Sequence, residues 1–280
     1  MSWLITNVKQ SIWSWLADIA SDFMSKAFNL ITDTIVEPTN INKYFNISEY
    51  LVYVQIMAAN LLVLKVVYEV FKQNSGGMIA TEEKSFGTLA LQTIFGGTCI
   101  FLLPWSVSNF LLPLNNAAIG VIQSIGVKVD VSKFNKYLSL TSGIVSLGAF
   151  IIFGTLILAV AFLILGILGA IRYVEILIAV IVAPFAAISA VGDQSMMKGW
   201  FLKTSKIVFT QVLQIFLLQL LISIMAKCTG PMLYVYSIGT IVAMVKGPKI
   251  LQGYLHSTGM GAAAAKTAKI MVTRSTREVK

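Results

Sequence analysis

The stretch RYVEILIAVIVAPFAAIS, residues 172–189, decides how this chain is read. It is apolar enough to lie in lipid, yet it opens on Arg172 and Glu175 and carries Pro184 near its middle. Composition settles its surroundings. Of 280 residues, 57% are apolar and 12% charged, against roughly 25% charged in a soluble globular domain. The mean hydropathy is +0.82. The chain therefore reads as an all-α, polytopic transmembrane helical bundle, and the two charges and the proline need a reason to be there.

Working outward, residues 144–170 form the most apolar run of all, and 173–191 follow after almost no connection. A span needs about 20 mainly apolar residues, so these two are expected to pair as a tight hairpin turning at Arg172. By the same rule residues 50–71, 88–112 (bent at Pro104) and 207–226 are spans, which with 231–245 gives about six segments in a bundle over 50–245. The last is short enough to be a re-entrant or interfacial segment instead. Between the second and third spans, NNAAIGVIQSIG is expected as a short surface helix before the extended-looking VKVDVSKF.

Residues 1–36 space Leu4, Val8, Ile12, Trp15, Ile19 and Phe23 by three and four, with Lys9, Asp18, Asp22 and Lys26 interleaved. This is an amphipathic pattern, and Trp3, Trp13 and Trp15 suit a headgroup boundary. An interfacial helix is expected, with an ordinary packed helix as the alternative. Asp18 and Asp22 interrupt the apolar core a signal peptide would need, so no cleavage is expected. Lysine and arginine mark cytoplasmic connections. Six spans with both termini inside gather most of the basic residues on that side, whereas five spans divide them almost evenly. The first arrangement is favoured.

Ionisable groups inside a span are costly and point to function by default. Lys65 and Glu69 lie one turn apart in the first span, and Arg172 and Glu175 mark the expected hairpin turn. Both positions fall on one side of the bilayer in either orientation, so a cross-helix network such as Glu69 with Arg172 is expected. The alternative is that Lys65 and Arg172 snorkel separately to headgroups. Ala179, Ala183 and Ala187 repeat every four residues, a spacing that lets backbones approach closely in lipid, and Pro184 is expected to kink that helix. Gln211, Gln214 and Gln219 either line a polar passage or bond neighbouring helices.

The tail, residues 246–280, carries Lys246, Lys249, Lys266, Lys269, Arg274, Arg277 and Lys280 against Glu278 alone. It suits anionic headgroups, an acidic partner or nucleic acid, or serves only to hold that end in the cytoplasm. Enzyme signatures are missing from the sequence. A single histidine, His256, excludes HExxH, and no GxSxG, Walker or GxGxxG pattern occurs. Asp130 and Asp193 fall in expected loops, and Cys99 and Cys228 lack metal-site spacing. No catalysis, cofactor, metal or small-molecule substrate is expected.

The order of an apolar span, RYVEILIAVIVAPFAAIS, the polar loop GDQSMMKGWFLK and the glutamine-bearing TQVLQIFLLQLL resembles the TrbL-type membrane subunit of conjugative type IV secretion machines. The likeness is to the smaller Gram-positive versions. It runs over about residues 144–255, also fits the amphipathic start and VKGPKILQGYLHSTG, and is carried by Arg172, Glu175, Ala183 and Pro184. It departs from better known Gram-negative relatives, which have an external N-terminus and long periplasmic parts. The resemblance implies a non-enzymatic, oligomeric channel or scaffold subunit in the bacterial cytoplasmic membrane. Its implied partners are lipid, other secretion subunits and cytoplasmic ATPases, on the route of single-stranded DNA with attached relaxase. A small-molecule or ion transporter and a holin-like or regulatory membrane protein are the rival readings.

Overall fold

The computed structural model describes residues 2–75, 86–125, 148–192, 194–227 and 231–257, and among these every regular element is helical. Helix α1 (Ser2–Ile31) runs into a π-helical turn, Thr32–Val36. Then come α2 (Ile47–Ser75) and α3 (Phe86–Ser106), a second π-helical turn at Val107–Leu111, and α4 (Leu112–Ile125). The chain continues through α5 (Gly148–Ile188), α6 (Ser195–Lys227) and α7 (Pro231–Ser257). Four stretches are long and apolar enough to cross a membrane, Ile47–Lys72, Phe86–Ile125, Ile152–Ile188 and Ser195–Met225, with a shorter apolar stretch at Met232–Gly247.

The largest departure from the sequence reading is α5. Residues 170–173 do not turn, and the two expected spans are one helix of 41 residues. At 1.5 Å per residue it is about 60 Å long, twice the roughly 30 Å of a hydrocarbon core. LGAIRYVEIL holds no proline and no turn cluster, so nothing in the local backbone opposes helix there. The length of the apolar run and the charge of Arg172 suggest a boundary, and the fold satisfies that charge in another way. With two spans merged, same-side termini no longer follow from the span count.

The described residues of Met1–Thr39, Asn115–Tyr173 and Phe209–Gly247 form one compact unit, and those of Asn40–Leu114, Val174–Val208 and Pro248–Lys280 another. In the first, Met24, Phe28, Ile31 and Ile35 are buried in one cluster with Leu158, Phe162, Leu165, Ile215 and Leu218. The rings of Phe28 and Phe162 meet edge to face at 6.0 Å. The second half of α1 is therefore central to this core. Of the stripe read from the sequence, Ile12, Trp15 and Ile19 are exposed and Phe23 packs against the core. Helix α4 forms where a short surface helix is expected, with one face buried at Asn115 and Ile119 and Leu114, Val121 and Ile125 exposed.

Close packing of α1 on α5 depends on glycine. A Cβ at Gly166 would lie 2.6 Å from the Leu30 side chain, and one at Gly169 would lie 2.8 Å from both Ile35 and Thr34. In lipid such backbone approach is a main source of association. Gly169→Leu is expected to push the Thr32–Val36 turn off α5 and to cost at least about 2 kcal/mol, read as a lowered melting temperature in detergent. An unchanged melting temperature would contradict this packing.

In the second unit, Ala58, Leu62, Leu89, Cys99, Ile100, Ala187 and Val191 form the core. Ala183, Ala186 and Ala187 on the C-terminal part of α5, and Ala190 in the turn after it, are fully buried. A Cβ on Gly96 of α3 would lie 3.5 Å from the Ala187 carbonyl and 3.6 Å from the Ala190 methyl, so the small residues let backbones come close. Pro184 lacks the N–H that would serve the Val180 carbonyl and strains the turn behind it. The carbonyl one residue earlier, of Ala179, accepts the buried Trp200 indole N–H at 2.9 Å. Trp200→Phe keeps most of the ring but removes this bond between α6 and α5, and about 1 kcal/mol of stability is expected to go. A Trp200→Phe protein as heat-stable as the parent would show that the indole bond contributes nothing.

The real helical hairpin here lies between α5 and α6. The backbone closes through Ser189–Gln194, where the Gln194 N–H donates to the Ser189 carbonyl at 3.0 Å. Gly192 takes φ +131, a left-handed region that favours glycine. The Ser189 hydroxyl accepts the Met197 N–H at 2.9 Å, serving one of the bare donors at the start of α6. The expected extended segment VKVDVSKF lies outside the described residues.

Candidate functional site

Pro38 disfavours helical geometry in the residue before it, and Glu37 is extended at φ −63, ψ 141. Helix α1 and its π turn must therefore stop, which leaves the last carbonyls without intrahelical donors. Four successive carbonyls are met by side chains from three other helices. Arg172 Nη2 of α5 donates to Thr34 O at 3.2 Å. Gln211 Nε2 of α6 donates to Ile35 O at 2.7 Å and to Glu37 O at 3.0 Å. Gln123 Nε2 of α4 reaches Val36 O at 3.4 Å.

Around this terminus the bonds interlock. Gln211 Oε1 accepts from Asn115 Nδ2 at 2.9 Å and from the Thr39 hydroxyl at 2.8 Å. With two donors and two acceptors engaged, its amide is fully used. Thr39 in turn accepts from Arg172 Nη2 at 3.3 Å, and its backbone exchanges bonds with the Asn116 side chain at 3.3 and 3.4 Å. A second bridge, Gln219 Nε2 to Ile122 O at 3.0 Å, ties α6 to α4 again.

This clasp explains Arg172. The C-terminal end of a helix carries partial negative charge, and a cation there is favourable. The guanidinium is only 5% exposed and sits at that pole. Its Nε and Nη1 have no hydrogen-bond partner, nor does Asn115 Oδ1. Arg172 is thus anchored through Nη2 alone, whereas Gln211 is the saturated centre.

The four charges expected to meet each have their own surroundings within their units. Lys65 and Glu69 pair within α2 at 3.1 Å, in the second unit, while the partners of Arg172 are the Thr34 carbonyl and the Thr39 hydroxyl. Glu175 is exposed. Arg172 thus spends its Nη2 on a helix terminus, and Glu69 is engaged by Lys65 of its own helix. Gln211, Gln214 and Gln219 are buried, at 1%, 2% and 8% exposure, and the bonds of the first and third run between helices. Lys246 and Lys249 are exposed on α7, which carries the start of the expected tail in helical form. Lys266, Lys269, Arg274, Arg277 and Lys280 lie outside the described residues.

Thr34, Thr39, Asn115, Asn116 and Gln123 were not singled out by the sequence reading. The signal for them is EPTN at 37–40, a proline stop inside an otherwise helical region, together with the paired asparagines of LPLNNAAIG. A stopped helix end in lipid requires donors from elsewhere, and these are the polar residues able to supply them.

Helices long and apolar enough to cross a membrane, joined by buried amide and guanidinium bonds, define a polytopic helical membrane protein. The chain belongs to the conjugal transfer protein TrbL family, whose model matches residues 1–279. It is accordingly a component of conjugative transfer by type IV secretion. No curated protein and no solved structure matches it.

Proposed function

We propose that this protein is a channel or scaffold subunit of a conjugative type IV secretion apparatus in the bacterial cytoplasmic membrane. It supports passage of single-stranded DNA and its attached relaxase, acts as a homo-oligomer, and holds other membrane subunits and a cytoplasmic ATPase in place. The basic tail lies on the cytoplasmic side, as lysine and arginine bias favours. The family match over residues 1–279 carries this reading.

Within that role, the geometry supports architecture over solute transport. A transporter built on broken helices leaves carbonyls at the break open to its cargo. Here the carbonyls of Thr34, Ile35, Val36 and Glu37 are each taken by a side chain of the same protein. The test is deletion in the native host with complementation. Loss of transfer, restored by the wild-type chain and accompanied by co-purification of the conjugation ATPase, is expected. Undiminished transfer after deletion, or solute transport by the purified chain alone, would overturn the proposal.

A further inference from the structure

The second unit has a groove that the clasp does not involve. It has a volume of about 650 Å³ and runs between α2 and the α5–α6 turn. Lys65, Glu69 and Lys72 rise along one side at helical spacings of four and three, and Phe185, Ile188 and Met196 supply the apolar side. Glu69 balances Lys65 at 3.1 Å. Lys72 is exposed, in the last turn of α2, and has no carboxylate partner among the described residues. The groove therefore carries net positive charge.

We propose that this groove binds an acidic phospholipid, with the headgroup phosphate at Lys65 and Lys72 and an acyl chain along Phe185, Ile188 and Met196. The charge selects an anion, and the apolar wall selects an anion that carries a hydrocarbon stem. Lys72 ends the apolar stretch Ile47–Lys72, which is where a headgroup meets a span. Leu64 and Tyr68, on α2 beside Lys65 and Glu69, are 64% and 60% exposed, which suits lipid contact beside the groove. Basic pockets between transmembrane helices are known headgroup sites, and each lysine near an anionic lipid contributes about a fivefold preference.

The experiment uses the full chain, purified in mild detergent and incubated with phosphatidylglycerol or phosphatidylcholine. Retained lipid is counted by native mass spectrometry. Phosphatidylglycerol is expected to be retained in preference. Lys72→Gln should lower retention about fivefold and Lys65→Gln/Lys72→Gln further, at unchanged melting temperature. Glu69→Gln should raise it, and this opposite sign separates charge recognition from misfolding. Equal retention of the two lipids, or a double variant that retains phosphatidylglycerol like the parent, would overturn the proposal. So would full displacement by millimolar inorganic phosphate, which would make the site one for the free anion.

Discussion

Replacing Gln211 with leucine is expected to destabilise the folded protein by about 3 kcal/mol or more. The side chain is 1% exposed and is the one member of the clasp whose amide is fully engaged. Leucine fills much the same volume but leaves the carbonyls of Ile35 and Glu37, the Asn115 amide and the Thr39 hydroxyl short of a partner. A single interhelical bond in a membrane bundle averages about 0.6 kcal/mol, yet a buried group left unpaired costs about 1–3, and several are orphaned at once. Gln219→Leu is the internal control, since it removes one bond to the Ile122 carbonyl. Thermal unfolding of the two variants in detergent should rank Gln211→Leu well below Gln219→Leu. Equal melting temperatures would show that the end of α1 is held by packing and not by the clasp. Gln211→Glu should fall between wild type and leucine, because it keeps the acceptor for Thr39 and Asn115 but sets a carboxylate against two carbonyls.

That ranking depends on a feature only partly legible in the sequence. Apolar runs of about 20 residues identify lipid-crossing helices almost by length alone, so the fold class and most of the long segments follow directly. What a run does not reveal is where a helix ends inside the bundle. At 170–173 a charge suggested an end, but LGAIRYVEIL contains no turn chemistry and α5 continues through it. At 37–38 the proline marks a true end, and residues far away in sequence were needed to complete it. Gln211, singled out for its polarity, proves central. Asn115 and Thr39 are small polar residues in short motifs whose partners lie 96 and 172 positions along the chain. Local periodicity carries no information at that separation. The amphipathic pattern of α1 is ambiguous for a related reason. Its half-apolar surface is compatible with lipid or with a protein core, and contact with Phe162 marks the part that is core.

Arg172 offers the sharpest test, because its substitutions should diverge by charge and not by size. Arg172→Glu puts a carboxylate at the Thr34 carbonyl, at the negative pole of α1. It reverses a favourable end-charge contact and buries a charge with no cation beside it, a change expected to cost about 4 kcal/mol or more. Arg172→Met instead removes the cation together with the unpartnered Nε and Nη1. It leaves the Thr34 carbonyl bare and Thr39 with its bond to Gln211, so a loss near 1 kcal/mol is expected. Arg172→Lys keeps the charge but carries it on a more strongly hydrated ammonium in place of the Nη2 that serves both Thr34 and Thr39, and should lie between the two. The yield of monodisperse protein and its melting temperature read this order. Conjugative transfer in a complemented deletion strain reads whether function follows stability. If transfer falls with Arg172→Met while the melting temperature holds, the buried guanidinium also serves assembly with another subunit. If the glutamate variant is as stable as the methionine variant, a helix C-terminus is not what placed an arginine in the middle of this apolar helix.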